Sequence, residues 1–139
     1  NQGYGQFAGE MMEEPPQRVL DLLDQDAAQE QEGRERLYRF VNVVSVMDSM
    51  QKIVVFGAGQ IGRWILELLH FEKQCIGCIT DNNRNLWSTD LCGHKIYPPE
   101  KAVEKYPDAL YVVANKFHTQ EIKQQLKDLG IQEKRIYIY

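Results

Sequence analysis

Gly57-Ala58-Gly59-Gln60-Ile61-Gly62 has the residue types and the spacing to hold a diphosphate. Gly57 permits a tight turn out of a strand. Gly59 carries no side chain, so backbone N–H groups can come close to phosphate oxygens. Gly62 lets a following helix pack tightly. The first N–H groups of any helix lack internal acceptors, and the helix dipole adds partial positive charge there. Asp81 comes 19 residues after Gly62. A carboxylate at that point accepts hydrogen bonds from a ribose diol and repels a 2′-phosphate, which disfavours NADP. Glycines alone could simply make a turn. Here they follow an apolar run, open an amphipathic stretch and precede an acid at the end of the next apolar run, and that coincidence favours the diphosphate reading.

Other residues fall near the same crevice. Asn82 follows Asp81. Ala114-Asn115-Lys116-Phe117-His118 follows a later apolar run, and loops at the carboxyl ends of parallel strands line the ligand crevice of an open sheet. Lys116 suits phosphate charge and Asn115 suits a sugar or base. His118 is the one acid/base candidate, with a solvated helix start as its simpler reading. Arg63 either reaches a phosphate or lies on a solvated helix face.

Several motifs lead elsewhere. Cys75-x-x-Cys78 and Cys92-x-His94 imitate zinc-ligand spacing. Positions i and i+3 of a regular strand point to opposite faces, so no metal is expected and the cysteines read as packing residues. No Gly-x-Ser-x-Gly elbow or P-loop occurs; Tyr97 and Lys101 stand at Tyr-x-x-x-Lys spacing, but Pro98-Pro99 between them make a turn into a short helix rather than the mid-helix pair that chemistry requires.

The elements that must position these residues alternate strand and helix. Strands are expected at 52–56, 75–80, 95–97, 109–114 and 135–139. Helices are expected at 60–71, from Pro98-Pro99 to before Pro107, and at 119–129 with Gly130 as C-terminal cap. This is an α/β chain with a doubly wound, three-layer, five-stranded parallel sheet of order 3-2-1-4-5.

Of 139 residues, 43% are hydrophobic and 26% charged, values of an ordinary globular chain. The net charge of −4 gives no support for nucleic-acid binding. No apolar run reaches membrane-spanning length. Three cysteines without a secreted framework suggest a reducing, cytoplasmic setting. Because the first residue is Asn1, a processed or excised segment is expected. Residues 1–50 are acidic and the remainder slightly basic, which marks a boundary. Residues 1–16 read as a loose tail, and 17–50 as a helical linker or docking segment. The first helix of that segment runs over 18–30 and Gly33 interrupts. Leu37, Phe40, Val41 and Val44 then recur at helical spacing over 34–47, with a β-branched strand as the alternative. That stripe covers this chain's own second part, a partner chain such as a second copy in a homodimer, or a missing upstream domain.

Lys52-Ile-Val-Val-Phe-Gly-Ala-Gly-Gln-Ile-Gly62, Ile79-Thr-Asp-Asn-Asn83 and Gly93-His-Lys-Ile-Tyr-Pro-Pro-Glu100 together resemble the small Rossmann-like nucleotide-binding modules of bacterial surface-polysaccharide enzymes. Such modules accompany nucleotide-sugar dehydratases, sugar acyltransferases and sugar-transfer proteins. The resemblance covers 51–139. It implies a phosphate site at Gly57, Gly59, Gln60, Ile61 and Gly62, with Asp81 and Asn82 on the sugar or base. It implies NAD or a nucleotide-sugar as ligand, and a linked or associated catalytic domain. The five strands and their helices use all of 51–139, so a catalytic centre is expected outside this chain. An NAD-dependent oxidoreductase or epimerase relying on His118, and a non-catalytic assembly domain, are the alternatives.

Overall fold

The computed structural model describes residues 30–139. The expected tail at 1–16 and the helix at 18–30 lie outside the described residues, apart from Glu30 itself.

Helix α1 (Glu30–Ser45) comes first. Gly33 does not interrupt it, and the Val-rich run does not form a strand. Phe40 and Val44, four residues apart on one face, are buried against the sheet. Burying that stripe outweighs both the β preference of valine and the cost of a helical glycine, about 1 kcal/mol.

Strand β1 (Lys52–Phe56) is buried from Ile53 onward. Ile53 and Val55 face one core while Val54 and Phe56 face the other, as the two-residue strand period requires. Helix α2 (Gln60–Phe71) packs Ile65 and Leu69 into the first core, together with Phe40 and Val44 of α1. Strand β2 (Cys75–Thr80) pairs with β1. Two short strands follow, β3 (Asp90–Leu91) and β4 (His94–Tyr97). Helix α3 (Pro99–Lys105) and helix α4 (Thr119–Asp128) flank β5 (Leu110–Val113), and β6 (Ile136–Ile138) closes the order. Ala102, Ile122 and Leu126 fill the second core. The result is the expected three-layer α/β fold.

Among the described residues the sheet has six strands in the order β3-β4-β2-β1-β5-β6. All pairs are parallel except β3 with β4. Without β3, the order is the expected 3-2-1-4-5. The expectation of five strands is corrected by a hairpin in the segment read as a polar crossover. Cys92 and Gly93 both have positive φ, 53° and 83°, the conformation of a two-residue hairpin turn.

Strand β2 also departs from regularity. Val54 of β1 faces Cys78 while Ile53 faces Ile76, so Gly77 is an inserted residue. A side chain at Gly77 would meet the Tyr106 ring at 3.0 Å. The bulge places Cys75 opposite Lys52 and Cys78 opposite Val54, residues on one face of β1. The opposite-face argument drawn from regular strand geometry therefore does not hold for these cysteines. Among the described residues, no group of three or more metal-ligating side chains comes together.

Cys78 is buried, whereas Cys75 and Cys92 are half-buried. Burial pushes the Cys78 thiol up to about 12, against a smaller opposing pull from Lys105. Thiolate is the reactive form. A thiol reagent at pH 8 should therefore modify Cys75 and Cys92 in the native chain, and Cys78 only on unfolding. Equal modification rates at all three would contradict this packing.

Candidate functional site

The glycine loop joins β1 to α2. Gly57 has φ +127°, and a Cβ on it would lie 2.6 Å from the Ala114 carbonyl oxygen at the end of β5. Its N–H donates to Thr80 O of β2 at 2.8 Å. Gly57 thus sits between the ends of both neighbouring strands, where no side chain fits. Gly62 meets the loop itself, since a Cβ there would stand 1.9 Å from Gly57 O. Its contribution is packing, and it does not line the cleft. Gly59 differs from both: nothing lies within 4 Å of its Cβ position.

Gly59 is the N-cap of α2, with no side-chain cap and no acidic residue in the first turn. The helix begins its hydrogen bonding with Arg63 N–H to Gly59 O at 3.0 Å. The N–H groups ahead of Arg63 precede the first helical acceptor, as at every helix start. Absence of a capping carboxylate leaves their positive end uncompensated from within the helix.

Asp81, half-buried at the end of β2, braces this loop. Ala58 N–H donates to Oδ2 and Asn83 N–H to Oδ1, each at 2.8 Å. Its own carbonyl accepts from Trp87 Nε1 at 2.7 Å. Each carboxylate oxygen retains a further lone pair for a ligand hydroxyl.

Gly57, Gly59, Gln60, Ile61 and Asp81 line one cleft of about 520 Å³, together with Asn115 and Lys116 beyond β5. The sequence brought these seven residues forward, and the fold gathers them. Besides Gly62, three others lie elsewhere. Asn82 exchanges two side-chain hydrogen bonds with Gln125 of α4, at 3.0 and 2.9 Å. Arg63 turns toward the hairpin, with Nη1 3.8 Å from Cys92 Sγ. His118 is largely exposed, 3.8 Å from Glu121, and outside the cleft lining. Asn115 lines the cleft, but its Oδ1 accepts from Phe117 N–H at 2.8 Å and His118 N–H at 2.7 Å. It shapes the turn into α4.

Sequence reasoning missed the cleft's other walls. Gly33 and Arg36 of α1, Trp64 of α2, exposed Phe117 and Tyr139 all line it. Tyr139 packs edge-on against Trp64 at 5.2 Å and against Phe40 at 5.4 Å between ring centroids. Phe40 also packs on Tyr137 at 5.5 Å. An aromatic cluster therefore ties α1 to the cleft, and Leu37, Phe40, Val41 and Val44 are spent on this chain's own core. The indole N–H of Trp64 is buried with no hydrogen-bond acceptor among the described residues, a cost of about 1–3 kcal/mol.

Groups with displaced pKa values lie away from this cleft. Burial raises Tyr111 in the second core and Tyr137 on β6. Burial, and then the neighbouring His70, lowers His94, whose Nε2 lies 2.9 Å from His70 Nε2.

The fold has solved counterparts. One is UDP-D-quinovosamine 4-dehydrogenase from Vibrio fischeri, 21% identical, with TM-score 0.53 over 64% of this chain and 77% of that one. Another is RSP, a Rex-family repressor, 22% identical, with TM-score 0.57 over 76% of this chain and 52% of the repressor. RSP has also been solved with β-NAD+ and operator DNA (18% identical, TM-score 0.54, over 76% of this chain and 57% of that one) and with β-NADH. The aligned segment thus spans only about half of the repressor. At such identities the likeness is one of fold. No curated protein matches the sequence. No helix among the described residues is long and apolar enough to cross a membrane. Residues 49–137, from just before β1 into β6, match the C2185-like, N-terminal family, and the chain belongs to that family.

Proposed function

We propose that this chain is a nucleotide-binding module that holds NAD(H) or a nucleotide-sugar through its diphosphate. The observation that carries the reading is the open face of Gly59 at the uncapped start of α2, directed at a cleft of about 520 Å³. Backbone N–H donors there suit phosphate oxygens, and Asp81 stands where a ribose diol would meet a carboxylate. The cleft's charged lining is Arg36, Lys116 and Asp81, a net positive set in a chain of net charge −4. β-NAD+ and β-NADH complexes of a similarly folded repressor, and a UDP-sugar dehydrogenase of similar fold, support the ligand class. The family's description as an N-terminal unit supports placing the module in a larger protein, and the similarly folded UDP-D-quinovosamine 4-dehydrogenase favours one that modifies or transfers sugars. The catalytic groups of that protein lie outside this module.

A thermal-shift panel of NAD, NADH, NADP, UDP-sugars, CDP-linked alcohols and coenzyme A tests the reading. A ligand at a hundredfold its Kd should stabilise the fold by about 2.7 kcal/mol. NADP should do less than NAD. Asp81→Ala should abolish the ligand-dependent gain. It should also lower the ligand-free stability by about 1–3 kcal/mol, because Ala58 and Asn83 lose a charged acceptor. The ligand-induced difference is therefore the quantity to compare. A panel in which no compound shifts the transition would defeat the proposal.

A further inference from the structure

Helix α1 lies wholly outside the segment matched by the family, 49–137, yet it forms one wall of the cleft. Its inward face runs Gly33, Arg36, Phe40, Val44, the three- and four-residue spacing of one helix side. The last two are fully buried in the first core. The first two line the cleft. Gly33 is buried and adds no side chain to the space. Arg36 is half-buried, and its guanidinium makes no hydrogen bond or ion pair among the described residues. A cation held against a cleft wall by a helix that is anchored one turn further on is already positioned for an anion.

We propose that Arg36 is a phosphate-binding residue of this cleft, so that ligand occupancy and the seating of α1 stabilise each other. This rests on the nucleotide-binding reading and extends it. The amides of α2 approach a diphosphate from the β1 side, and Arg36 meets it from α1. A ligand gripped by both elements holds them together, and by linkage a seated α1 raises ligand affinity by the same factor. The site is then incomplete in the β1–β6 unit alone. The nucleotide becomes a handle on the segment that precedes β1, whatever that segment docks with.

The test uses the full chain, with NADH and UDP-glucose as probes in calorimetric titrations. Arg36→Ala should weaken the better probe by about 10- to 100-fold, as expected for loss of one charge-assisted hydrogen bond. Arg36→Lys should recover part of that loss, because the charge remains but the fork does not. Hydrogen exchange of the α1 amides, 37–45, should slow on adding the probe to the wild-type chain, and should not slow in Arg36→Ala. A merely structural arginine would change exchange with and without ligand alike. If the wild type binds a probe and Arg36→Ala binds it equally well, the inference fails while the nucleotide-binding reading stands. If neither probe nor any compound of the wider panel binds the wild type, both fall together.

Discussion

Gly62→Ala should destabilise the fold by about 3 kcal/mol, the upper range for overpacking a tight site. The added methyl would stand 1.9 Å from Gly57 O, well inside van der Waals contact. Relief would have to come from the loop, and the loop is pinned. Gly57 N–H is bonded to Thr80 O at 2.8 Å, and Gly57 itself abuts the Ala114 carbonyl. The ends of β2 and β5 would need to move as well. Gly59→Ala provides the contrast. Nothing lies within 4 Å of its Cβ position, and its φ of −84° suits any residue. It should stay within about 1 kcal/mol of wild type, yet lose ligand affinity because a methyl occupies the phosphate's approach. Urea unfolding of both variants checks the pair. Equal stability of Gly62→Ala and wild type would mean the helix does not press on the loop.

Phe40→Ala has the second large expected effect, about 3–5 kcal/mol for an aromatic ring removed from a closed core. Phe40 is fully buried and meets Tyr137 and Tyr139 with ring centroids 5.5 and 5.4 Å away. Loss of the ring removes the anchor of α1 and loosens Tyr139, which borders the cleft beside Trp64. The variant should unfold at lower urea and expose α1 to protease before the sheet is cut. A loss under about 1 kcal/mol, with α1 still protected, would show that the helix is held by something other than this cluster.

These two residues also show what was legible in the sequence. The glycine loop was legible because its constraints are local. A buried strand, a turn that excludes side chains and a helix start occupy eleven consecutive residues, 52–62. Asp81 was legible as the end of the next strand. Its loop-bracing bond to Ala58 was not, since nothing in the spacing shows which backbone N–H a carboxylate will meet. Arg36 escaped notice although its position four residues before Phe40 put it on the apolar face. The helical stripe was visible, but what it covered depends on Tyr137 and Tyr139 at the far end of the chain. The pairing of Asn82 was hidden for the same reason, because its partner Gln125 comes from α4. The β3–β4 hairpin turns on Cys92-Gly93, which lacks the Asn-Gly or Asp-Gly signature of such turns. Gly77, a glycine within a strand pattern, was a sign of the bulge. Reading β2 as regular set Cys75 and Cys78 on the wrong relative faces.

The central claim is that a diphosphate is gripped by the backbone at the start of α2. The most direct measurement is an amide-resolved NMR titration of the full chain with NADH and, in parallel, UDP-glucose. The largest shifts should fall at the N–H groups of Gly59, Gln60 and Ile61, with smaller ones at Asp81 and Lys116. Shifts confined to the groove at the opposite end of the strands, around Lys52, Lys105 and Arg135, with the glycine loop unchanged, would contradict it.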